Sequence, residues 1–509
     1  MLIRLLLISL LSTTWVLAQD KDKNKDKENK EIKELKEAKE PNPKLFDRNI
    51  VETRQQTTIA GKNIKYTTQA GYLTLRDETG KPRADIFFMA YLQDGADVNS
   101  RPITFTFNGG PGSASVWLHM GCIGPKRVVM NDKGEPLPPP YKYVNNEYSW
   151  LDKTDLVFID PVNTGYSRAA EGEKPAQFLG YVEDIESVGE FIRLYCSQYK
   201  RWASPKYLAG ESYGTTRAVG LANFLQNRYN LYVNGLCLIS SILNFQTARF
   251  DKGNDLPYTL FLPTYTATAF YHKKLAPELQ QDLSKTLKEV ENFALGEYAT
   301  FLTKGDLATE TETKNVADKL ARYTGLSQTY LKNCYYRIEI GRFTKELLRN
   351  EGKIVGRLDS RLTGVDYDNA GERFEFDPSL DATISGPYAT AINHYIRQEL
   401  KYNNNLPYEV LTSRVQPWNY NNVQNRYLNV GEELRSAMSK NPALKVWVCS
   451  GYYDFATPYF ATEYTFNHLM LRPEQKKNVK ITYYEAGHMM YIHKESFLKM
   501  RKDLEGFYE

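Results

Sequence analysis

Histidine is scarce in this sequence: there are six in 509 residues. Chemistry that needs an imidazole therefore has few candidates. Cysteine is scarcer still, at positions 122, 196, 237, 334 and 449. An odd count leaves at least one thiol unpaired and argues against a disulfide scaffold. Cys237 and Cys449 sit in the apolar runs GLCLISS and VWVCSG and read as small buried hydrophobes. No Asn-x-Ser/Thr acceptor site occurs. An excess of one charge is also missing, since Lys+Arg 65 against Asp+Glu 61 gives a net +4. A nucleic-acid binder would carry a concentrated basic footprint, so no nucleic-acid partner is expected. Mean hydropathy is −0.53, and the one long apolar run stands at the N-terminus, which excludes a multi-span membrane protein. The histidines are scattered, and His488 and His493 do not have the spacing or acidic partners of a zinc motif. No Gly-rich phosphate or dinucleotide fingerprint follows a strand, so neither metal nor cofactor is expected.

What is present divides the chain into zones. Residues 1–18, MLIRLLLISLLSTTWVLA, combine one Arg, an apolar stretch and small residues before Gln19. This reads as a secretory signal peptide rather than a stable membrane anchor, and implies a secreted or periplasmic, bacterial protein. Residues 21–40 hold eight Lys and seven acids, a polyampholyte that cannot bury a core; 19–56 is expected to be a charged linker. Strand-like runs follow at 71–77, 85–92, 103–107, 155–160, 207–210, 236–240, 445–449 and 479–486. Several are continuously apolar, as parallel strands covered on both faces should be. Between them Val182, Ile185, Val188 and Ile192 recur at helical spacing, and a second helix is expected over 215–228. The alternation predicts an α/β fold with a mostly parallel central sheet flanked by helices. Residues 242–444 are too long for a crossover and read as a large, mainly helical cap inserted between core parts 57–241 and 445–509. There are no internal repeats.

Gly210-Glu211-Ser212-Tyr213-Gly214 follows a strand and precedes a helix, the context a nucleophile elbow requires. Its glycines permit a sharp turn that exposes the Ser212 hydroxyl. Serine needs a base to take its proton, and in this strand–turn–helix setting the chain order is Ser, acid, His. His272, His394 and His468 lie in or beside helix-like surface segments. His488, in a Gly-His turn after the last strand, is preferred over His493, one turn further on. Asp454 follows a strand and is preferred as the acid over Asp251 and Asp255, which lie in the insertion. It would hold the imidazole tautomer and stabilise the imidazolium. Asn108-Gly109-Gly110-Pro111-Gly112 follows the strand ITFTF, where the Gly110 and Tyr213 N–H groups can form an oxyanion hole.

Together, NGGPGSAS (108–115), Gly124-Pro125, NNEYSW (145–150), FIDPVNTGYS (158–167), GESYG (210–214), GYYDFATP (451–458) and AGHM (486–489) resemble the serine carboxypeptidase family in order and spacing. The resemblance implies an α/β-hydrolase core with a helical insertion. It also implies removal of C-terminal residues from peptides through an acyl-enzyme on Ser212, with His488 as base and Asp454 as its orienter. By the same match Asn108 and Glu211 would bind the terminal carboxylate, and Met489 would line the pocket of the departing residue. A Glu facing a carboxylate requires one of the two to hold a proton, which favours acidic pH. The chain departs from the family pattern at Cys122, where a second Glu usually pairs with the first. Ser113 stands where a disulfide Cys is common, and Asn163 where a Gly is usual.

Two other functions fit parts of the sequence. An esterase or acyltransferase could use the same scaffold, since fold does not fix substrate. An envelope glycan-binding protein could use the 37 Tyr, 6 Trp and the Asn/Tyr-rich stretch 402–427. A binding protein has no need, however, of Ser, Asp and His in hydrolase order. The oligomeric state is not readable.

Overall fold

The computed structural model describes residues 49–508. The expected signal peptide, and the linker up to residue 48, lie outside them. The main sheet has ten strands among the described residues, a short one at Arg168–Ala169 that pairs with β3 and nine in a row: β1 Val51–Ile59, β2 Lys62–Arg76, β3 Pro82–Gln93, β4 Ile103–Phe107, β5 Asp155–Ile159, β6 Lys206–Ser212, β7 Gly235–Ser241, β8 Lys445–Gly451 and β9 Val479–Tyr484. Their spatial order is β1-β2-β3-β5-β4-β6-β7-β8-β9. The first three pair antiparallel, as does β3 with β5, and all later neighbours are parallel. All residues of β4, β5 and β7 are buried, as continuous apolar runs in a covered sheet require.

The fold begins earlier than Thr57, the first core residue expected from the sequence. β1 starts at Val51 and pairs with β2 through to Ile59–Lys62, so the linker cannot extend to 56. Its first six residues, VETRQQ, alternate between exposed and half-buried. An edge strand held through its backbone needs no apolar run, so hydrophobic patterning misses it. Ala60 and Gly61 both have positive φ (46° and 79°), the twist a two-residue hairpin demands.

Helices cover both faces. They are α1 Tyr181–Gln198, α2 Tyr213–Tyr229, α3 Leu256–Tyr271, α4 Leu283–Phe293, α5 Glu310–Thr324, α6 Ser385–Gln398, α7 Gly431–Lys440, α8 Tyr459–Asn467 and α9 Lys494–Asp503. The buried stripe of α1 runs through Tyr181, Ile185, Val188, Ile192 and Tyr195. Val182, expected in that stripe, is exposed.

The 242–444 insertion is helical, but its end belongs to the core. Leu434, Ala437 and Met438 of α7 join the apolar cluster under the sheet, with Val415, Trp418 and Leu428. A parallel β7-to-β8 connection needs a helix packed on the sheet, and α7 supplies it. The rest of the cap builds a second cluster from α3, α4 and α5. That cluster includes Tyr453 and Phe455 of the loop after β8. The aromatic residues Tyr402, Tyr408 and Trp418 of the Asn/Tyr-rich stretch are buried, so their rings pack inward.

A buried ionic cluster ties the starts of β4 and β5 together. Asp155 Oδ1 accepts from Arg101 Nε at 2.7 Å and its Oδ2 from Arg201 Nη1 at 2.6 Å. Arg201 also donates to the Arg101 and Pro102 carbonyls. Removing one partner leaves charges buried and unpaired, which costs about 3–5 kcal/mol. Asp155→Ala is expected to lose stability of that order, seen as a lower urea midpoint.

Candidate active site

The functional side chains stand at the carboxyl ends of β4, β6, β8 and β9, where an open α/β sheet places its ligand crevice. Ser212 ends β6 and begins α2 with φ 60° and ψ −129°, the strained elbow expected from its flanking glycines. A Cβ on Gly210 would sit 2.1 Å from the Gly214 carbonyl oxygen, and one on Gly214 would sit 2.8 Å from that of Phe107. Only glycine lets the turn close there.

His488 lines the same cavity as Ser212 and meets Asp454. His488 Nδ1 lies 2.7 Å from Asp454 Oδ2. Asp454 also accepts from the Ala456 and Thr457 N–H groups at 2.7 and 3.1 Å and from the Thr457 hydroxyl at 2.6 Å. Burial alone would raise the Asp454 pKa, but the His488 charge and these bonds hold it below 3.8. His488 shows the converse. Burial opposes its protonation, yet the Asp454 charge and hydrogen bond raise its pKa above 6.5. Both therefore favour the ion pair that forms when the base takes a proton. His493 lies apart and bonds Ser496 at 2.9 Å. Asp255 is engaged by Arg337 at 2.7 and 2.8 Å.

A strap from the cap holds both triad loops. The Phe455 N–H donates to the Arg357 carbonyl at 3.0 Å, and the His488 N–H to that of Leu358 at 2.7 Å. Gly487 N–H donates to Asp359 Oδ2 at 3.1 Å, and Ser360 N–H to the Tyr453 carbonyl at 3.0 Å. Asp359 is itself held by Arg361 at 2.9 and 2.6 Å. No sequence motif marked residues 357–360, because these are backbone contacts across the fold.

Gly109 and Gly110 line the cavity beside Ser212 and Tyr213. A Cβ on Gly109 would lie 2.4 Å from the Tyr213 nitrogen, so the glycine lets the loop approach the elbow. Gly110 has φ 102°, a conformation suited to glycine. The loop is anchored from below: Arg217 donates to the Asn108 carbonyl at 2.5 Å and to Asp184 at 2.7 Å. Asp160 accepts from the Ser115 N–H and hydroxyl, both at 2.9 Å, and burial raises its pKa to about 6.

Glu211 lines the cavity and is 3% exposed. Asn108 Nδ2 donates to its Oε1 at 2.9 Å and the Tyr491 hydroxyl to its Oε2 at 2.6 Å. Burial raises its pKa to about 7, partly offset by the His488 charge and these bonds. Met489 also lines the cavity. Asn108 is buried behind it, its Oδ1 accepting from the Leu118 N–H at 3.1 Å, and so reaches the cavity only through Glu211. Cys122 is not among the residues that line the cavity and makes no hydrogen bond to Glu211. It is fully buried and its Sγ faces the Leu118 carbonyl at 3.9 Å. Burial, then the Glu211 charge, pushes its thiol well above 9. Tyr491 is the partner instead. Its ring occupies the space beside Gly121, where a Cβ would lie 2.3 Å from it.

The five cysteines are all buried and free. Ser113, in place of a common disulfide Cys, accepts from Trp117 Nε1 at 2.6 Å. Asn163 has φ 69°, so it adopts the left-handed conformation that explains a glycine preference there and that Asn tolerates.

The cavity has a volume of about 390 Å³. The sequence model described as serine carboxypeptidase matches residues 59–501. The chain belongs to the serine carboxypeptidase family. Pheromone-processing carboxypeptidase KEX1 of Saccharomyces cerevisiae is 32% identical over 170 residues, 31% of this chain and 22% of that protein. Carboxypeptidase Y homolog A of Podospora anserina is 30% identical over 128 residues, 25% of this chain and 21% of that one. Serine carboxypeptidase-like 33 of Arabidopsis thaliana is 25% identical over 169 residues, 33% of each chain. The matched stretches thus span a third or less of these relatives. The crystal structure of Kex1(delta)p, a prohormone-processing carboxypeptidase from Saccharomyces cerevisiae, superposes with TM-score 0.55 and 17% identity over 87% of this chain and 91% of that one. It supports the α/β-hydrolase fold.

Two outcomes test this geometry. Asp454→Asn is expected to lower ester turnover about 10³–10⁴-fold, by analogy with other serine triads, with the fold retained by circular dichroism. Glu211 gives a pH signature in stability. Its folded pKa of about 7 exceeds the ordinary 4.5, so between those values the unfolded chain binds fewer protons. Stability then falls as pH rises through that window, by at most about 3 kcal/mol. Thermal melts should show Glu211→Gln gaining on the wild type from pH 5 to pH 8.

Proposed function

We propose that this chain is an exported serine carboxypeptidase that releases single residues from peptide C-termini. Export is inferred from residues 1–18. Among the described residues no helix is long and apolar enough to cross a membrane. In the proposed reaction Ser212 Oγ attacks the last peptide carbonyl while His488 takes its proton, and Asp454 stabilises the imidazolium. The oxyanion is received by the Gly110 and Tyr213 N–H groups. His488 then protonates the departing amine, and water attacks the acyl-enzyme by the reverse proton transfers.

The observation that carries the peptide-end reading is Glu211. A buried carboxyl group beside the nucleophile, with a pKa raised to about 7, keeps its proton in mildly acidic solution. A protonated Glu can donate to a substrate carboxylate; an ionised one repels it. The Tyr491 hydrogen bond pulls the Glu211 pKa down, and so extends the charged form toward lower pH. The glycan-binding reading gains nothing from a buried triad. The esterase reading is separated by experiment.

N-blocked dipeptides and their C-terminal amides, followed by mass spectrometry from pH 4 to pH 8, test the proposal. The free acid is expected to lose its last residue, the amide to persist, and Ser212→Ala to cleave neither. Turnover of the acid should decline as Glu211 ionises near pH 7, and Tyr491→Phe should move that limb to higher pH. Equal cleavage of acid and amide, or cleavage of esters alone, overturns carboxylate recognition.

A further inference from the structure

Two guanidinium groups line the cavity, Arg249 and Arg357, and among the described residues neither faces a carboxylate. Arg357 lines the cavity and is exposed. Among the described residues its guanidinium has no carboxylate or hydrogen-bond partner. The other charged groups there are engaged. Glu211 is held by Asn108 and Tyr491, and His488 by Asp454. The Arg249 guanidinium lies over the Phe245 ring at 5.6 Å and bonds Tyr420.

The backbone of Arg357 is firmly set. Its N–H donates to Asp377 Oδ1 at 3.0 Å and its carbonyl accepts from Phe455, while the next carbonyl accepts from His488. Its charge is felt at His488, where it opposes protonation. These contacts put Arg357 on the His488 side of the nucleophile. The departing amine must lie on that side, because His488 gives it its proton. Arg249 and Phe245 group with Tyr213 instead.

We infer that Arg357 is a specificity-determining residue that pairs with a carboxylate of the departing residue. This rests on the carboxypeptidase reading. Two carboxylates qualify: the terminal one and that of an acidic side chain. A guanidinium can bind either through paired hydrogen bonds. It also offers recognition that a single Glu cannot, since the pairing does not depend on a shared proton and persists once Glu211 ionises.

Calorimetry on Ser212→Ala and on Ser212→Ala/Arg357→Gln tests this without turnover. The probes are acetyl-Ala-Leu, acetyl-Ala-Leu-amide and acetyl-Ala-Glu-amide at pH 7.5. The acetyl-Ala-Leu acid is expected to bind about tenfold or more weakly to the double variant, a typical scale for a lost charge-assisted hydrogen bond, with acetyl-Ala-Leu-amide unchanged. Arg357→Lys should restore part of the loss. A loss confined to acetyl-Ala-Glu-amide assigns the contact to the acidic side chain and also supports the inference. No loss for either carboxylate, or an equal loss for acetyl-Ala-Leu-amide, overturns it. A wild-type protein that hydrolyses esters but leaves acetyl-Ala-Leu intact would overturn the carboxypeptidase reading instead, and the binding result would still be read separately.

Discussion

The contact between His488 and Asp454 governs the arrangement of this site. A 2.7 Å pairing of two buried groups tolerates little displacement, because an imidazolium without its carboxylate is costly in a dry interior. The loops that bring the pair together come from neighbouring parallel strands, β8 and β9. They approach so closely that a Cβ on Gly451 would lie 2.3 Å from the Gly487 carbonyl oxygen. The cap then seals both loops through the carbonyls and carboxylate of residues 357–359. The insertion is thus part of the catalytic frame as well as a cover over it.

Two buried carboxyl groups lie close to His488, and their surroundings drive them to opposite states. Asp454 faces a cation and three hydrogen bonds, so its charged form wins despite burial. Glu211 has two donors, one of them a phenol, and a second negative charge nearby, so desolvation wins and its pKa rises to about 7. This is the separation of protonation states that lets one site hold a charged orienter and a neutral donor at the same pH. The Tyr491 phenol tunes Glu211. A phenol lowers the Glu211 pKa by hydrogen bonding, where a second carboxylate would share a proton and repel.

Much of the core was legible because its strands are apolar runs whose pattern survives without tertiary information. The positions of Ser212, Asp454 and His488 could be read for a different reason. Ser212, Asp454 and His488 each stand at a strand end, and sequence can locate strand ends. β1 was not legible, because a polar edge strand carries no hydrophobic signal. Nor was the end of the cap, because α7 looks like any amphipathic helix until it is seen on α2. The Tyr491–Glu211 contact was not legible either, because a motif names a position but cannot show which distant side chain will reach it.

By itself, the sequence determined the order of the candidate groups along the chain: a Gly-rich loop, a strand–turn–helix serine, an aspartate and a histidine. That order follows from glycine sterics and strand periodicity, both local properties. Only the tertiary structure decided what surrounds those groups. It brought Tyr491 to Glu211, the 357–360 strap to the triad loops and an unpaired guanidinium to the cavity. Each depends on residues far apart in the chain meeting in a desolvated space. The scarcity of histidine left few candidates, and the fold placed a buried carboxylate against one of them, His488.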